Sequence, residues 1–335
     1  MKKTLLVVIS LLLVSAFGLR NSAQQFLQQS IALNVPYLEI KAGSSLRQLC
    51  HDWQQQQLVS ATDCQLLKIL SIVKPELRDI KAGVYAVSAQ PLDKLLAMFR
   101  SGKVAQFSLI LREGWTLQQN LQALSKAAFL VNDLNEQKVA ALWQWPEKWG
   151  TSPVNGEGLI LPETYFYTAN TKASAILQRA HQALLAEVDA AWQQRHADLP
   201  LKSPYDLLIL ASIVEKETGY LPEKPLISSV FINRLRQGMR LQTDPTVIYG
   251  LGERYQGDIT RAHLRDPHAY NTYVHAGLPP GPIALVSKSS LQAAAKPEVS
   301  DKLFFVAKGD GSHQFSTSLQ QHNQAVQQYI FGKKP

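Results

Sequence analysis

The sequence predicts an α+β protein with an N-terminal membrane anchor, a small β-α-α-β unit and a larger mixed domain. Three observations support this. An uncharged apolar stretch opens the chain, short strand and helix patterns alternate after it, and apolar helical runs lie beside Pro/Gly-rich loops in the second half. The chain has 335 residues, of which 46% are hydrophobic, as in an ordered protein of about two domains. The predicted limits are an anchor at 1–20, a linker at 21–36, the small unit at 37–105 and the mixed domain at 106–335.

The charge balance indicates which partners suit the chain. Its 34 basic and 26 acidic residues give a net charge of +8, which favours a membrane surface or an anionic polymer. Like charges form no long block, so we expect no nucleic-acid partner. The sequence has no His-Glu-x-x-His motif, no phosphate-binding loop and no dinucleotide fingerprint, so we expect neither a metal nor a cofactor.

The N-terminal segment reads as a membrane anchor. Lys2 and Lys3 precede the uncharged residues 4–19, and Arg20 follows them. This length is slightly short of a full span of about 20 residues and exceeds a signal-peptide core of about 7–15. The pattern favours an uncleaved anchor with a cytoplasmic N-terminus and an exported remainder. Cleavage near residues 14–16, which read Val-Ser-Ala, stays open as the alternative.

The unit after the linker reads as strand, helix, helix, strand. The first strand is expected at 37–40, the helices at 46–53 and 61–73, and a turn followed by the second strand at 80–87. This order resembles a LysM-type module, a small fold associated with binding polymers of N-acetylglucosamine (GlcNAc). A structural unit without affinity for sugar is the alternative interpretation.

The two cysteines lie inside this unit. Cys50 falls in the first predicted helix and Cys64 in the second. Export to an oxidising compartment would permit a bridge between them. Two buried free thiols are the other interpretation, and the sequence does not decide between the two.

The second half contains a strongly apolar predicted helix, residues 205–218. Pro204 precedes it, and Gly219 is expected to cap its end. Nearly all of its positions are apolar, so it must be buried on most sides, yet Glu215 and Glu217 lie in its last turn. Buried carboxylates are costly unless they are paired or functional. Helical spacing hardly separates the two, and ion pairs with Lys216, Arg234 or Arg240 remain an alternative to a chemical role.

A buried carboxyl group at the end of a helix is suited to acid catalysis. Desolvation and the negative end of the helix dipole both raise its pKa. Cleavage of a glycosidic bond needs such a group, because the leaving oxygen must receive a proton.

Loops rich in Tyr, Asn, Gln, Thr and Asp follow this helix, at 239–250, 269–273 and 277–283. Amide, hydroxyl and aromatic groups of this kind suit a saccharide cleft, although ordinary structured loops can have the same composition. The candidate substrate-binding residues here are Gln242, Thr243, Asp244, Tyr270, Asn271 and Tyr273.

The C-terminal segment predicts a β-hairpin and a final helix. The apolar strands 303–307 and 314–316 flank a Gly-Asp-Gly-Ser turn, and the helix is expected over 322–330. His313 and His322 are interpreted as surface residues of these elements, with a catalytic role as the alternative.

Several motifs together resemble the YceG-like (MltG) family of endolytic murein transglycosylases. They are, in chain order, EG at 157–158, LPETY at 161–165, LASIVEKET at 210–218, VFINRL at 230–235, LQTDPTVIY at 241–249, and YNTY at 270–273 with GLPPG at 277–281. The resemblance covers roughly residues 37–330. The family often has Asp where this chain has Glu163, a departure that keeps the charge of this further candidate substrate-binding residue.

The resemblance implies an inner-membrane, single-pass enzyme with a periplasmic catalytic domain. Its substrate would be peptidoglycan strands, cut within the strand at the β-1,4 bond between N-acetylmuramic acid (MurNAc) and GlcNAc to leave 1,6-anhydro-MurNAc ends. Lytic transglycosylases use a glutamate followed by Ser or Thr near the end of a buried helix, which assigns the catalytic role to Glu217 and a structural or orienting one to Glu215. Peptidoglycan synthases or division proteins are the implied protein partners. A lysozyme-type hydrolase and a non-catalytic glycan-binding module are the alternatives.

Overall fold

The computed structural model of the chain describes residues 2–31, 35–150 and 152–332, with the backbone alone for part of the first helix. Contacts between Cα atoms divide the chain into two compact units. The first runs to Phe107 and includes Phe166–Asn170, and the second comprises Ser108–Tyr165 and the chain from Thr171 onward. Both contain helices and short strands, as the predicted α+β class requires.

The first unit contains the predicted β-α-α-β order. Its helices are α1 (Lys2–Gln28), α2 (Leu46–Gln55), α3 (Ala61–Val73) and α4 (Leu92–Ser101). Its strands are β1 (Ser30–Ile31), β2 (Tyr37–Ile40), β3 (Gly83–Ala86) and β4 (Gln90–Pro91). Strands β2 and β3 pair antiparallel, with Ile40 opposite Gly83, and β1 pairs with β4. The buried side chains of Trp53, Tyr85 and Phe99 fill the centre of the unit.

Helix α1 continues past the predicted anchor into the predicted linker. Near its end Ala23, Phe26 and Leu27 are buried, and the last two belong to the core of the first unit. Within the part of the chain whose side chains are described, no helix is long and apolar enough to cross a bilayer. The predicted anchor at 1–20 falls largely on side chains outside that part, so it stays a prediction.

A disulfide joins the two helices of the small unit. Cys50 in α2 is bonded to Cys64 in α3, with their Cα atoms 5.7 Å apart. Of the two interpretations that the sequence left open, the structure therefore has the bridge.

The second unit holds the long apolar helix at its centre. Its helices are α5 (Leu117–Ser125), α6 (Glu136–Ala140), α7 (Ala173–Gln193), α8 (Pro204–Glu217), α9 (Lys224–Arg236), α10 (Asp244–Leu251), α11 (Lys288–Ala295) and α12 (Leu319–Tyr329). Two further strands, β5 (Gln106–Ile110) and β6 (Thr164–Thr168), contribute residues to both units. Strands β7 (Phe304–Ala307) and β8 (His313–Ser316) form the predicted hairpin, with Phe304 opposite Ser316.

Helix α8 is the core of this unit. Its residues from Leu207 to Val214 are at most 3% exposed, because α7, α9, α10 and α11 pack around it. The Ser203 hydroxyl accepts a hydrogen bond from the Asp206 amide and caps its start. The helix ends at Glu217 because Thr218 is extended, with φ −147° and ψ 133°. Gly219 has no positive φ, so the predicted glycine cap is wrong.

Candidate active site

Glu217, the last residue of α8, lies at a cavity of about 360 Å³ in the second unit. The cavity is bordered by the loop before α10, the β7–β8 hairpin and helix α12. Its lining residues are Glu217, Phe231, Arg234, Leu241, Gln242, Thr243, Asp244, Tyr273, Phe304, Phe305, Leu319 and His322. The structure thus brings four of the predicted substrate-binding residues to the same cavity as the predicted acid.

The surroundings of Glu217 favour its protonated form. Burial raises the pKa of Glu217 to about 7, and the negative charge of Asp244 acts in the same direction. A hydrogen bond from Thr243 and the positive charge of Arg234 act against this shift without cancelling it. Glu217 is therefore a carboxyl group that can both give and take a proton near neutral pH.

Thr243 is held in place by buried threonines. Its hydroxyl donates to Oε1 of Glu217. Its amide donates to Thr272 Oγ1 at 3.1 Å, and Thr246 Oγ1 lies 2.9 Å from the same atom. The preceding residue, Gln242, has a φ of +48°, a conformation that a residue with a side chain seldom adopts. The Gln242 amide donates to the backbone oxygen of Thr272 at 3.2 Å, a contact that holds this strained residue in place.

Asp244 and Tyr273 form a second pair at the cavity. The Tyr273 hydroxyl donates to Asp244 Oδ1 at 2.6 Å. Burial, together with this carboxylate, raises the pKa of Tyr273 far above its usual value. Tyr273 therefore stays a donor that orients Asp244, which is exposed and carries negative charge at the cavity.

Arg234 brings positive charge to the same cavity. Its side chain donates to the backbone oxygens of Leu303 and Leu241, each at 2.7 Å. From the sequence, Arg234 is expected only as a pairing partner for the glutamates. In the structure it joins helix α9 to the start of β7 and to the loop before α10, so it supports two walls of the cavity.

Glu215 lies in a different environment from Glu217. Its Oε2 is 3.2 Å from Lys224 Nζ and accepts from the Ser287 amide at 3.0 Å and the Ser290 hydroxyl at 2.6 Å. Burial pushes the pKa of Glu215 upward, but these hydrogen bonds and the charge of Lys224 outweigh it and hold the pKa below its usual value. Glu215 therefore forms a structural ion pair, one of the interpretations that the sequence left open. Its partner is Lys224 and not Lys216, Arg234 or Arg240, the three basic residues named from the sequence.

Three predicted substrate-binding residues are placed elsewhere. Glu163 forms an ion pair with Lys288 at 2.9 Å. Tyr270 packs against Tyr249, with their ring centres 4.8 Å apart. Asn271 is fully buried, donates to backbone oxygens of its own loop, and accepts from the Tyr273 amide at 2.9 Å, so it shapes the loop that carries Tyr273. Direct contact of these three with a substrate stays a prediction.

The two histidines near the C-terminus are not simple surface residues. His313 Nδ1 lies 2.8 Å from Glu223 Oε2, and its side chain is only 11% exposed. His322 lines the Glu217 cavity and stacks on Phe304. The surface interpretation is wrong because β7 packs against α9 and α12 packs on the hairpin, and helical periodicity does not indicate such long-range contacts.

A second buried carboxyl group belongs to Glu157. Its Oε1 accepts from the Leu117 amide at 2.9 Å, and Tyr249 donates to its Oε2 at 3.3 Å. Burial raises the pKa of Glu157 to about 7 despite these bonds. The following Gly158, at φ +74°, has no room for a Cβ, which would lie 2.6 Å from Pro282. The EG motif at 157–158 therefore joins the start of α5, helix α10 and the loop that contains Pro282.

The described side chains offer little to a metal ion. In residues 2–31, 35–150 and 152–332, no group of three or more His, Cys, Asp or Glu side chains is arranged to hold one. The expectation of a reaction without metal or cofactor stays a prediction.

The chain is similar in sequence and fold to known proteins. Residues 38–328 match the model of the YceG-like family. The "Endolytic murein transglycosylase" of Bacillus subtilis (strain 168) is 36% identical over 180 residues, which is 53% of this chain and 49% of that protein. The protein of the same name from Streptococcus pneumoniae serotype 2 (strain D39) is 27% identical over 290 residues, or 76% of this chain and 52% of that one. The chain thus spans about half the length of these curated relatives.

A solved structure agrees with this assignment. The crystal structure of a YceG-like protein from Listeria monocytogenes superimposes with a TM-score of 0.54 at 29% sequence identity, covering 86% of this chain and 98% of that one. Because the family model spans most of the chain and includes α8, the loop before α10 and the C-terminal hairpin, the resemblance drawn from the motifs is confirmed. The chain belongs to the YceG-like family.

Proposed function

We propose that this chain is an endolytic peptidoglycan lytic transglycosylase, which cleaves the MurNAc–GlcNAc β-1,4 bond within glycan strands and leaves 1,6-anhydro-MurNAc ends. The observation that carries the proposal is Glu217, a carboxyl group with a pKa of about 7 at a cavity lined by hydroxyl, amide and aromatic side chains. The relatives of this chain from Bacillus and Streptococcus are named endolytic murein transglycosylases, and this supports the same reaction for the chain.

In the proposed mechanism Glu217 acts twice. It first gives its proton to the oxygen that links MurNAc to GlcNAc, while positive charge develops at the anomeric carbon of MurNAc. The carboxylate then takes the proton from the C6 hydroxyl of the same sugar, and that oxygen attacks the anomeric carbon. The glycosidic C–O bond breaks, the 1,6-anhydro C–O bond forms, and no water is consumed. A pKa near 7 suits both halves of this cycle.

The neighbours of Glu217 have separate roles in this mechanism. Thr243 holds Oε1, so we assign proton transfer to Oε2. Asp244, held by Tyr273, places negative charge where it stabilises the developing positive charge on the sugar. Arg234 limits how far the pKa of Glu217 rises, which preserves a usable fraction of the basic form.

Asp244 also supports a second candidate reaction. A hydrolase of lysozyme type needs two carboxyl groups or a positioned water, and Asp244 supplies a second carboxylate at the cavity. The two reactions differ in their products. Mass spectrometry of glycan digested by the protein should show anhydro ends, whereas free reducing ends would favour the hydrolase. Finding neither, with folded wild-type protein and uncrosslinked strands, would reject both.

We further propose that residues 1–20 anchor the protein in the inner membrane, with the N-terminus in the cytoplasm and the rest in the periplasm. The apolar residues 4–19 and the preceding Lys2 and Lys3 support this. The full-length protein should start at or near Met1 and stay with membranes after a high-salt wash. Mature protein that begins near residue 17 in the soluble fraction would show cleavage instead.

The LysM-like assignment of residues 37–105 is also a proposal. Its support is the β-α-α-β order and a cavity of about 550 Å³ lined by residues of α2 and α3. Gln54 and Gln65 line this cavity and offer amide groups to a sugar. Replacing both by Ala in the full chain should weaken binding to glycan strands, and unchanged binding would assign the unit a structural role. Peptidoglycan synthases and division proteins remain the proposed protein partners.

A further inference from the structure

One wall of the Glu217 cavity comes from the C-terminal hairpin and helix α12. Phe304 and Phe305 of β7 line it together with Leu319 and His322 of α12. The mechanism above uses none of these side chains. Leu319 is 59% exposed and leaves an apolar group at the border of the cavity.

The imidazole of His322 is fixed in orientation. It stacks on Phe304 with the ring centres 5.3 Å apart and the planes 24° from parallel. The guanidinium carbon of Arg234 lies 5.1 Å from the centre of the Phe304 ring, and Arg234 is itself bonded to the backbone oxygens of Leu241 and Leu303. The ring of His322 is therefore oriented by stacking on a side chain that is itself held in place.

The two nitrogens of His322 differ. Nδ1 is buried and has no hydrogen-bond partner among the residues that the structure describes. Burial and the charge of Arg234 lower the pKa of His322, so the ring is neutral at neutral pH and carries one N–H. A buried N–H without an acceptor is costly, which places the proton on Nε2. Because His322 lines the cavity and Nδ1 is buried, Nε2 is the nitrogen that a bound molecule can reach, and it is a donor.

A fixed donor beside an exposed apolar side chain matches one group of the glycan strand. The N-acetyl group of MurNAc and GlcNAc has a carbonyl oxygen, which only accepts hydrogen bonds, and a methyl group, which favours apolar surroundings. A sugar hydroxyl would suit the donor but not the leucine. The geometry of this wall therefore selects an acetamido group over a hydroxyl.

Resting on the proposed function, we propose that His322 and Leu319 form an N-acetyl subsite of the Glu217 cavity: His322 Nε2 donates to the acetamido carbonyl oxygen of a bound sugar, and Leu319 contacts its methyl group. Binding there positions the sugar next to Glu217 and makes the cavity specific for N-acetylated glycan.

The test measures binding without cleavage, in the full-length protein carrying Glu217→Gln. Its two probes are uncrosslinked peptidoglycan strands and the same strands after chemical de-N-acetylation. His322→Phe keeps the stacking on Phe304 and removes the donor, and His322→Gln restores an N–H. His322→Phe should weaken binding of the acetylated strands roughly two- to tenfold, the range of one neutral hydrogen bond, and should leave binding of the de-N-acetylated strands unchanged. His322→Gln should recover part of the loss.

A second variant and a control keep this test decisive. Leu319→Asn, a change at an exposed position, should also weaken binding of the acetylated strands selectively, and it serves if His322→Phe does not fold. His196→Phe, at a histidine that does not line the cavity, should change neither affinity. Equal weakening of both probes, or no change at all, would overturn the subsite.

The proposed function is tested separately, by anhydro ends from the wild-type protein. If those ends form while the selectivity for acetylated strands is absent, only the subsite fails. If the selectivity is present and no ends form, the proposed function fails and the subsite stands as a binding site.

Discussion

The two sides of the last turn of α8 show what separates a structural carboxylate from a reactive one. Glu215 faces helices α9 and α11 and meets Lys224, Ser287 and Ser290. Glu217, two residues further on, faces a cavity and receives a hydrogen bond from Thr243. Burial raises the pKa of both. Only Glu215 has enough donors to reverse that shift, so the two pKa values move in opposite directions.

The comparison shows that burial alone does not make an acid catalyst. A buried carboxylate with a lysine and several N–H and O–H donors stays ionised, fastens neighbouring helices together and is unavailable for proton transfer. A carboxyl group with fewer donors keeps a pKa near 7 and stays reactive. The sequence places both residues in the same helical turn, and the elements packed against each side decide which one can do chemistry.

The largest effect should come from Glu217→Gln. The amide keeps the shape of the side chain and removes the proton that cleavage requires, so the rate should fall at least the roughly 10²–10⁴-fold expected for one acid–base role. Folding should be retained, because a neutral amide suits the site as well as a protonated acid does. The measurement is the rate at which 1,6-anhydro ends form on uncrosslinked strands.

Glu215→Gln is the matched control for this variant. It should retain much more activity than Glu217→Gln and should instead lower the stability. If Glu217→Gln were near wild type while a folded Glu215→Gln were inactive, the assignment of the two residues would be reversed. If both stayed active, the single-acid mechanism would fail.

The second effect concerns stability. Lys224→Met leaves Glu215 buried without its cation, so we expect a loss of about 3–5 kcal/mol in the free energy of unfolding. Lys288→Met is the control, because Lys288 pairs with Glu163 and Glu187 but is 46% exposed, and the loss there should be no more than about 1 kcal/mol.

The double variant Glu215→Gln/Lys224→Met completes this test. It removes both charges together and should lose clearly less stability than Lys224→Met alone. Urea unfolding of the four proteins measures the differences. If Lys224→Met and Lys288→Met lowered the free energy of unfolding equally, the buried Glu215–Lys224 pair would not stabilise the fold as proposed.

The third effect is a pH dependence of opposite sign for the two glutamates. The raised pKa of Glu217 means that the folded state binds its proton more tightly than the unfolded chain, so its contribution to stability is present below about pH 4.5 and is lost as the pH rises to about 7. The lowered pKa of Glu215 means that its contribution is present above about pH 4.5 and is lost in more acidic solution.

Urea unfolding from about pH 3 to about pH 8 tests these signs. Relative to wild type, Glu217→Gln should gain stability as the pH rises through this range, while Glu215→Gln should lose the most at neutral pH and little in acid. Glu157, whose pKa is also raised to about 7, is present in all three proteins and cancels in the differences. If the stability of the two variants, relative to wild type, changed with pH in the same direction, the pKa values of Glu217 and Glu215 would not be shifted in opposite directions.

Local patterns predicted much of this fold. The apolar run with its Pro204 start predicted α8 to within one residue at each end, and the Gly-Asp-Gly-Ser turn predicted the C-terminal hairpin. The predictions succeeded because capping, periodicity and turn chemistry depend on residues close together in the chain. The same locality explains why Gln242, Thr243 and Asp244 reach the cavity together, since they are consecutive.

What the sequence could not predict depends on contacts between distant segments. The pairing of Glu215 with Lys224 and two serines requires α9 and α11 to meet α8 on one side. His322 reaches the cavity only because α12 packs on the hairpin, more than 100 residues after Glu217. The raised pKa of Glu157 also depends on tertiary packing, because this residue lies in no apolar helix whose pattern would indicate its burial.

The smallest effect, and the finest test of the comparison, is Thr243→Val. This change is nearly isosteric and removes the hydrogen bond to Oε1 of Glu217; it costs no helix cap, because the Thr243 side chain makes no capping hydrogen bond to α10. The bond lowers the pKa of Glu217, so its loss should raise that pKa and make Glu217 even less like Glu215. Activity that requires protonated Glu217 is lost as the pH rises through its pKa, so the alkaline limb of the pH–rate profile should move to higher pH. The rate at the optimum should fall by only roughly two- to tenfold, the size of one hydrogen bond. Thr243→Ser keeps the hydroxyl and should leave the alkaline limb in place. If the limb shifted equally in both variants, or moved to lower pH in Thr243→Val, the hydrogen bond from Thr243 would not lower the pKa of Glu217.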